Sequence, residues 1–334
     1  MKTVSIYFVK TQLELLASEL ISSSFEADSF NIAVHQVDFQ VKHRSFDRSI
    51  PFISVKEKGF LGTYKSIMAG LQNLKKTIET EVSAPDTIKI HLPRISTSKS
   101  NYSINFIKKS FPQSRIILCI IPHGLVSIDI IPLSFRKRIK FQRRKWNPGR
   151  LLFRDLKYYV PRNDLIGILD NNVKHIYTFP GMETNYPKEK VRLLKIEKAN
   201  NSDRSKIAVV VGQPLLKDGF ASKEDVELIT RKIHAWVKEQ NFDMVYYSKH
   251  PRAEDYLDFY SEDYRMLEQD GAIEPLLCEI QPEAIVSCYS TALAIGKSLL
   301  GDDVNCISIG LEHTNTDKKQ ELRRHFQQAN IEVM

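Results

Sequence analysis

The sequence has little that would point to a metal site, a disulfide framework or a membrane span. Its 334 residues include four cysteines, with no CxxC pair and no spacing typical of zinc sites. The longest strongly apolar run, residues 116–122, is far too short to cross a bilayer. The N-terminal residues lack the long apolar core and cleavage site of a signal peptide. We therefore expect a cytoplasmic chain with reduced thiols and no metal.

Positive charge is concentrated in one segment rather than spread along the chain. The formal net charge is +8, yet residues 131–162 hold eleven basic residues and one acidic residue, so the remainder is slightly acidic. This disfavours a nucleic-acid-binding coat, and no RNA-binding module is recognisable. The segment is expected to be either a solvated face or a patch at 136–150 that binds an anionic membrane surface. In the second case Phe135, Phe141 and Trp146 would be interfacial anchors.

Strand-like and helix-like segments alternate along the chain, which predicts an α/β fold with parallel, doubly wound sheets. The polar stretch 197–206 predicts a linker between two Rossmann-like domains, 1–196 and 207–334, with 131–162 as a basic insertion in the first. Such folds bind ligands at the carboxyl ends of their strands, so we expect a cleft between the domains. The predicted strands lie at 4–9, 30–39, 87–93, 115–122, 175–181, 206–215, 244–251, the start of 283–301, and 305–311.

Polar residues follow three of these strands and could carry chemistry. Lys249-His250-Pro251 places a histidine where it could protonate a leaving phosphate, although such a residue could simply cap a turn. Ser290-Thr291 begins a predicted helix whose N-terminus could bind phosphate, although an ordinary N-cap is commoner.

His123-Gly124 follows the most apolar strand of the first half. A neutral imidazole at that position could accept a proton from a hydroxyl, and the nearby Asp129 could orient the ring. The competing interpretation is a structural histidine.

The order His123-Gly124, His250-Pro251, Ser290-Thr291, within the contexts YYSKHPR and VSCYSTALAIGKSL, resembles the bacterial sialyltransferases. Within that family, the likeness is to the group of polysialyltransferase-like enzymes and of lipooligosaccharide and O-antigen sialyltransferases. It implies a GT-B glycosyltransferase, with two Rossmann-like domains facing across a cleft. It also implies inverting, metal-independent transfer of sialic acid from CMP-sialic acid to a terminal sugar, with galactose expected. The acceptor would be a surface glycan (O-antigen, lipooligosaccharide or capsule), and acceptors of such enzymes are often lipid-linked at the inner membrane face.

The resemblance also implies roles for individual residues. His250, with Lys249 and Pro251 of its motif, would serve the CMP phosphate. Glu274 would contact the nucleoside, with Glu279 as the competing candidate. The remaining donor-site residues would hold the phosphate or line the donor cleft: Ser290, Thr291, Gly212 and Gln213.

One motif departs from the family pattern. Where the family has acidic-acidic-Gly, this chain has Pro122-His123-Gly124, so the usual carboxylate base is missing. His123 is the favoured substitute, because an unperturbed histidine titrates closer to neutral pH than a carboxylate does. Glu57 is the alternative base. A transferase that uses another nucleotide sugar, or a non-catalytic nucleotide- or glycan-binding protein, remains the alternative function.

Overall fold

The fold is described from a computed structural model of the chain. It describes residues 2–36, 45–53, 60–124, 130–145, 153–180, 182, 186–194, 206–250, 257–268, 273–317 and 319–334.

The chain divides into two compact units. Unit 1 comprises Met1–Thr178 and Glu183–Lys195, and unit 2 comprises Phe179–Met182 and Ile196–Met334. The sequence placed Phe179–Met182 in the first domain, whereas the structure groups it with unit 2. There the Ser298 hydroxyl donates a hydrogen bond to the Pro180 carbonyl. The predicted linker, apart from Lys206, lies outside the described residues.

Unit 1 is built on a parallel sheet with the strand order β3-β2-β1-β4-β5-β6-β7. Its strands are β1 Thr3–Val9, β2 Phe30–Gln36, β3 Arg48–Ile53, β4 Thr87–Leu92, β5 Arg115–Ile120, β6 Val173–Thr178 and β7 Val191–Leu193. Its helices are α1 Gln12–Ser24, α2 Phe60–Glu81, α3 Ser98–Ser110 and α4 Phe135–Lys145.

Apolar residues at the helical and strand periods explain these elements. In α2, Ile67, Leu71, Leu74 and Ile78 recur every three or four residues, and all are buried in the core of unit 1. The strand β1 consists largely of β-branched and aromatic residues and is buried along nearly its whole length. Central strands buried in this way bring the loops at their carboxyl ends together along one edge.

Unit 2 repeats the design, with the parallel strand order β10-β9-β8-β11-β12-β13. Its strands are β8 Ile207–Val211, β9 Met244–Ser248, β10 Arg265–Met266, β11 Ala284–Ser287, β12 Asn305–Ser308 and β13 Glu332–Val333. Its helices are α5 Lys223–Gln240, α6 Glu274–Ile280, α7 Thr291–Leu300 and α8 Lys319–Gln328, with a 3-10 turn at Leu311–His313.

The α/β prediction is confirmed, and the strands that the sequence missed lie towards the sheet edges. β3, β7, β10 and β13 were not predicted, and the expected last strand at 305–311 is followed by β13. Among the described residues, no helix has the length and apolarity needed to span a membrane.

A buried polar cluster lies on the sheet of unit 1. The ring of His91 is fully buried and stacks on Tyr7, with ring centroids 4.3 Å apart. Neither of its ring nitrogens has a hydrogen-bond partner among the described residues. Burial, with smaller contributions from the charges of Lys89 and His175, holds the pKa of His91 well below its usual value of 6.5.

We expect stability to fall as pH drops below 6.5. At such pH values His91 binds a proton in the unfolded chain but stays neutral in its buried folded site. Between pH 7.5 and 5.5, His91 should therefore lower the unfolding free energy, by an amount on the order of 1 kcal/mol. Urea denaturation of wild type and His91→Phe at both pH values measures this. The variant should lose less stability than wild type over this range, and equal losses would contradict the expectation.

Candidate active site

Three polar segments of unit 1 meet at the carboxyl edge of its sheet. Strands β1, β4 and β5 are neighbours in the sheet order. Glu14 lies just after β1 in the first turn of α1, Arg94 follows β4, and His123 follows β5. Strand order therefore brings together residues that are far apart in the sequence.

The His123 ring lies between the Glu14 carboxylate and the Arg94 guanidinium. Its Nδ1 is 2.5 Å from Glu14 Oε1, and its Nε2 is 3.2 Å from an Arg94 guanidinium nitrogen. The Glu14 side chain is completely buried, whereas that of His123 is 23% exposed. Gly124 follows with a φ of 60°, a backbone conformation that glycine adopts without steric cost. The imidazole is thus held against a buried carboxylate while part of it remains accessible.

The start of α1 explains how Glu14 is held. Thr11 is the N-cap, and its hydroxyl accepts a hydrogen bond from the Glu14 N–H. Glu14 Oε2 in turn accepts a hydrogen bond of 2.6 Å from the Lys10 N–H. This reciprocal pattern is close to a capping box, in which the glutamate at the third helical position binds back to the chain before the helix. One carboxylate oxygen therefore serves the helix start, and the other faces His123.

Sequence reasoning identified His123 but missed Glu14 and Arg94. The signal for Glu14 was the Thr-x-x-Glu pattern at 11–14, which marks a helix start directly after a strand. Arg94 had only its position after a predicted strand. The alternative base Glu57 and the orienting acid suggested earlier, Asp129, both lie outside the described residues.

The predicted donor residues of unit 2 also follow neighbouring strands. Gly212 and Gln213 follow β8, and Lys249 and His250 follow β9. Ser290 lies after β11, at the start of α7. The sheet order β9-β8-β11 places all three segments along one edge. Lys249, His250 and Ser290 are partly exposed, and Pro251 lies outside the described residues.

Gly212 is required by close packing. A Cβ built on it would lie 2.2 Å from the Tyr247 hydroxyl oxygen. That hydroxyl donates a 2.8 Å hydrogen bond to the Asp258 carbonyl, and the Asp258 carboxylate accepts one from the Leu215 N–H. Glycine at this position allows the loop after β8 to pack directly against β9.

Gln213 connects the ends of two strands. Its side chain is buried, and Oε1 accepts a 2.8 Å hydrogen bond from the Tyr289 N–H. The Ser287 hydroxyl lies 3.1 Å from the same oxygen. The Gln213 side chain therefore fixes the turn that leads into Ser290, a contact that the sequence did not predict.

Ser290 and Thr291 occupy the start of α7. Ser290 is the N-cap, and its hydroxyl accepts a hydrogen bond of 3.2 Å from the Ala292 N–H. Thr291 is the first helical residue. N–H groups at a helix start and the helix dipole both favour an anion. Ser290 therefore acts as an ordinary N-cap, and the start of α7 is also suited to bind a phosphate.

Glu274 is the first residue of α6 and is buried. Its Oε2 has no hydrogen-bond partner among the described residues. Burial raises the pKa of Glu274, because a charged carboxylate is disfavoured away from water. Its competitor Glu279 is exposed. A buried acid with one oxygen that lacks a hydrogen bond among the described residues is suited to a polar ligand group.

The basic segment contains α4, which has seven basic and no acidic residues. Phe135 is 76% exposed, but Phe141 is buried in the core and stacks on Tyr158. The expectation that Phe141 is an interfacial anchor is therefore wrong, because it lies on the helix face that packs inward. The Arg144 guanidinium lies over the rings of Phe141 and Tyr158 and stabilises this packing. Trp146 and Arg150 lie outside the described residues.

Comparisons with known proteins give the family and the fold. The sequence profile described as Alpha-2,8-polysialyltransferase (POLYST) matches residues 17–305. No curated protein sequence is a significant match to the chain. Within the part of the chain that the structure describes, no cluster of three or more His, Cys, Asp or Glu could hold a metal ion.

Solved structures of glycosyltransferases resemble the chain over nearly its whole length. The α/β-galactoside α-2,3-sialyltransferase of Photobacterium phosphoreum is 12% identical, with a TM-score of 0.58, and the match covers 99% of this chain and 98% of that one. The glycosyltransferase SnogD of Streptomyces nogalater is 11% identical, with a TM-score of 0.47, over 100% and 97% of the two chains. At 12% identity, the likeness to the Photobacterium enzyme concerns the fold alone, which is GT-B. With the profile matching most of its length, the chain belongs to the alpha-2,8-polysialyltransferase family and is a glycosyltransferase of the sialyltransferase class.

Proposed function

We propose that the protein transfers sialic acid from CMP-sialic acid to a sugar hydroxyl of a bacterial surface glycan, with inversion at the anomeric carbon. The observation that carries the proposal is the family match over residues 17–305, which spans both the His123 edge and the Ser290 turn. The glycan would be an O-antigen, a lipooligosaccharide or a capsule.

In unit 1, His123 acts as the general base. The acceptor oxygen forms a bond to the anomeric carbon while the bond from that carbon to the CMP phosphate breaks. The hydroxyl proton moves to Nε2 of His123, and the bonding electrons leave with CMP. The partial exposure of the ring and its buried acidic partner support this role. Glu57 stays the alternative base.

In unit 2, Lys249, His250 and the start of α7 receive the CMP phosphate. His250 donates a proton or hydrogen bond to the departing phosphate, and Ser290 and Thr291 hold its oxygens. Glu274 offers its Oε2, which has no hydrogen-bond partner among the described residues, to a donor hydroxyl. Gly212 and Gln213 shape the loop after β8, which packs on Tyr247 and holds the turn before Ser290. Because these groups supply the positive charge, the proposed reaction needs no metal or other cofactor.

The acceptor sugar has two candidates. Galactose is the acceptor that the resemblance to the bacterial sialyltransferases implies. Sialic acid has support from the family description and from Arg94, since a carboxylate forms a charge-assisted bidentate pair with a guanidinium. Such a pair would draw Arg94 away from His123 Nε2, which must be available to act as a base.

The test is to identify the product made from CMP-sialic acid with galactose-terminated and sialic-acid-terminated acceptors. The sugar in CMP-sialic acid is β-linked, so we expect an α-linked sialoside and one CMP per transfer, unchanged by EDTA. NMR of the purified product gives the anomeric configuration. A β-linked product, or a requirement for a divalent cation, would contradict the proposed mechanism.

We also propose that the protein is cytoplasmic and binds the inner membrane face through α4. Phe135, Arg138, Ile139, Gln142 and Arg143 line an exposed groove along one face of this helix. An apolar ring flanked by cations fits an anionic lipid surface. A lipid-linked acceptor would then be presented to the enzyme at that surface.

Removing two charges from this face should weaken vesicle binding. Each basic residue near an anionic surface contributes about 1 kcal/mol, so Arg138→Gln with Arg143→Gln should reduce affinity for phosphatidylserine vesicles about 30-fold. Arg144 is left intact because it packs on the core. Lys223→Gln with Arg231→Gln, on the exposed face of α5, removes the same charge and should change little. Equal losses in the two pairs, measured by vesicle co-sedimentation, would contradict a membrane role for α4.

A further inference from the structure

We infer that Glu14 is a positioning residue that sets the tautomer of His123, an inference that rests on the proposed role of His123 as the base. Glu14 is buried, and its Oε1 lies 2.5 Å from His123 Nδ1. That oxygen has no other hydrogen-bond partner among the described residues, so the inference rests on the closeness of the two atoms.

The two carboxylate oxygens of Glu14 have different neighbours, and this indicates which atom donates in the contact with His123. Oε2 accepts the Lys10 N–H at 2.6 Å, so it is already committed to the helix start. A carboxylate oxygen accepts hydrogen bonds and does not donate them, so the ring nitrogen that faces Oε1 is the donor. The neutral ring therefore carries its proton on Nδ1, and Nε2 keeps the lone pair that a base needs.

The contact at the other ring nitrogen agrees with this tautomer. An Arg94 guanidinium nitrogen lies 3.2 Å from Nε2. Arginine has donors but no acceptor, so a protonated Nε2 would face another N–H group. An unprotonated Nε2 can instead accept that hydrogen bond, and it can accept one from a hydroxyl when Arg94 moves aside.

The simpler explanation of Glu14 is that it only caps α1. Glutamine serves in a capping box as well as glutamate does, so Glu14→Gln separates the two explanations. The Lys10 N–H requires the amide oxygen of the new side chain, which turns its NH2 group towards His123 Nδ1. That group can only donate, so the ring would have to carry its proton on Nε2 and would lose the lone pair there.

The test combines kinetics with NMR of protein labelled with ¹⁵N-histidine. We expect kcat for Glu14→Gln to fall about 10²-fold while its melting temperature and the acceptor KM change little. In the spectra, neutral His123 should be protonated on Nδ1 in wild type and on Nε2 in the variant. The His123→Ala spectrum identifies the signals, and Glu14→Asp should recover part of the rate. Glu26→Gln, which changes a buried acid paired with Lys89, should lower stability and leave the tautomer unchanged.

The inference and the proposed function can fail separately. If His123→Ala keeps full transfer, the proposed base is wrong, but the spectra still show whether Glu14 sets the tautomer. If wild-type His123 is protonated on Nε2, or if Glu14→Gln keeps both the wild-type rate and the wild-type tautomer, the inference about Glu14 is overturned.

Discussion

Replacing His123 by alanine should lower the rate of sialic acid transfer by roughly 10³-fold, the range expected when a general base is removed. CMP binding should be preserved, because the donor groups lie on unit 2. Single-turnover transfer assays, with calorimetric titration of CMP, measure both quantities. The same ring contacts Glu14 and Arg94, so the loss should be larger than that caused by either neighbour alone.

Glu57→Ala, measured in parallel, tests the alternative base. If His123→Ala keeps full transfer and Glu57→Ala abolishes it, the base has been assigned to the wrong residue. If both variants lose CMP binding as well, the division of roles between the units is wrong.

Replacing His250 by alanine should lower kcat with CMP-sialic acid by a similar factor, about 10³-fold, because the leaving phosphate loses its proton or hydrogen-bond donor. A donor substrate whose leaving group departs without protonation or a hydrogen bond should restore part of the rate of the variant. Stopped-flow measurement of CMP release isolates this step from acceptor binding.

Two further variants make the His250 result specific. Ser290→Ala removes one hydroxyl from a helix start that keeps its N–H groups, so we expect a loss of only about 10-fold. His313→Ala changes a histidine of unit 2 that contacts Lys232 and Glu312, and it should leave the rate unchanged. If His250→Ala retains activity, the donor-site proposal fails.

Much of the fold could be predicted because apolar periodicity reports directly on burial. Strands such as β1 and helices such as α2 place their apolar residues at the period that the core requires. The missed strands are very short or, in β3, interrupted by a proline. β3 contains Pro51 and β7 has three residues, so neither has a pattern that stands out from a loop.

Site residues could be predicted only where the position of one residue directly after a strand was informative by itself. His123, His250 and Ser290 each follow a recognisable strand, and sheets of this kind bind ligands at that edge. Glu14 precedes His123 by more than 100 residues, and only the order β1-β4-β5 brings the two together. Sequence order does not give strand order, so this pair required the structure.

The basic segment gives a second case in which the sequence could not predict which residues are exposed. Phe135 and Phe141 both lie in a run of cations, and composition does not distinguish them. The helix α4 turns Phe141 into the core and leaves Phe135 exposed. Which aromatic residue could meet a membrane therefore depends on the face of the helix that packs inward.

The identity of the donor, which we propose to be CMP-sialic acid, can be tested most directly. Purified wild-type protein, with His250→Ala as the blank, should be supplied in turn with CMP-sialic acid and a panel of UDP-sugars in the presence of sialylated and galactose-terminated acceptors. We expect acceptor-dependent release of CMP from CMP-sialic acid and no turnover of the UDP-sugars. Turnover of a UDP-sugar without turnover of CMP-sialic acid would contradict the proposed donor.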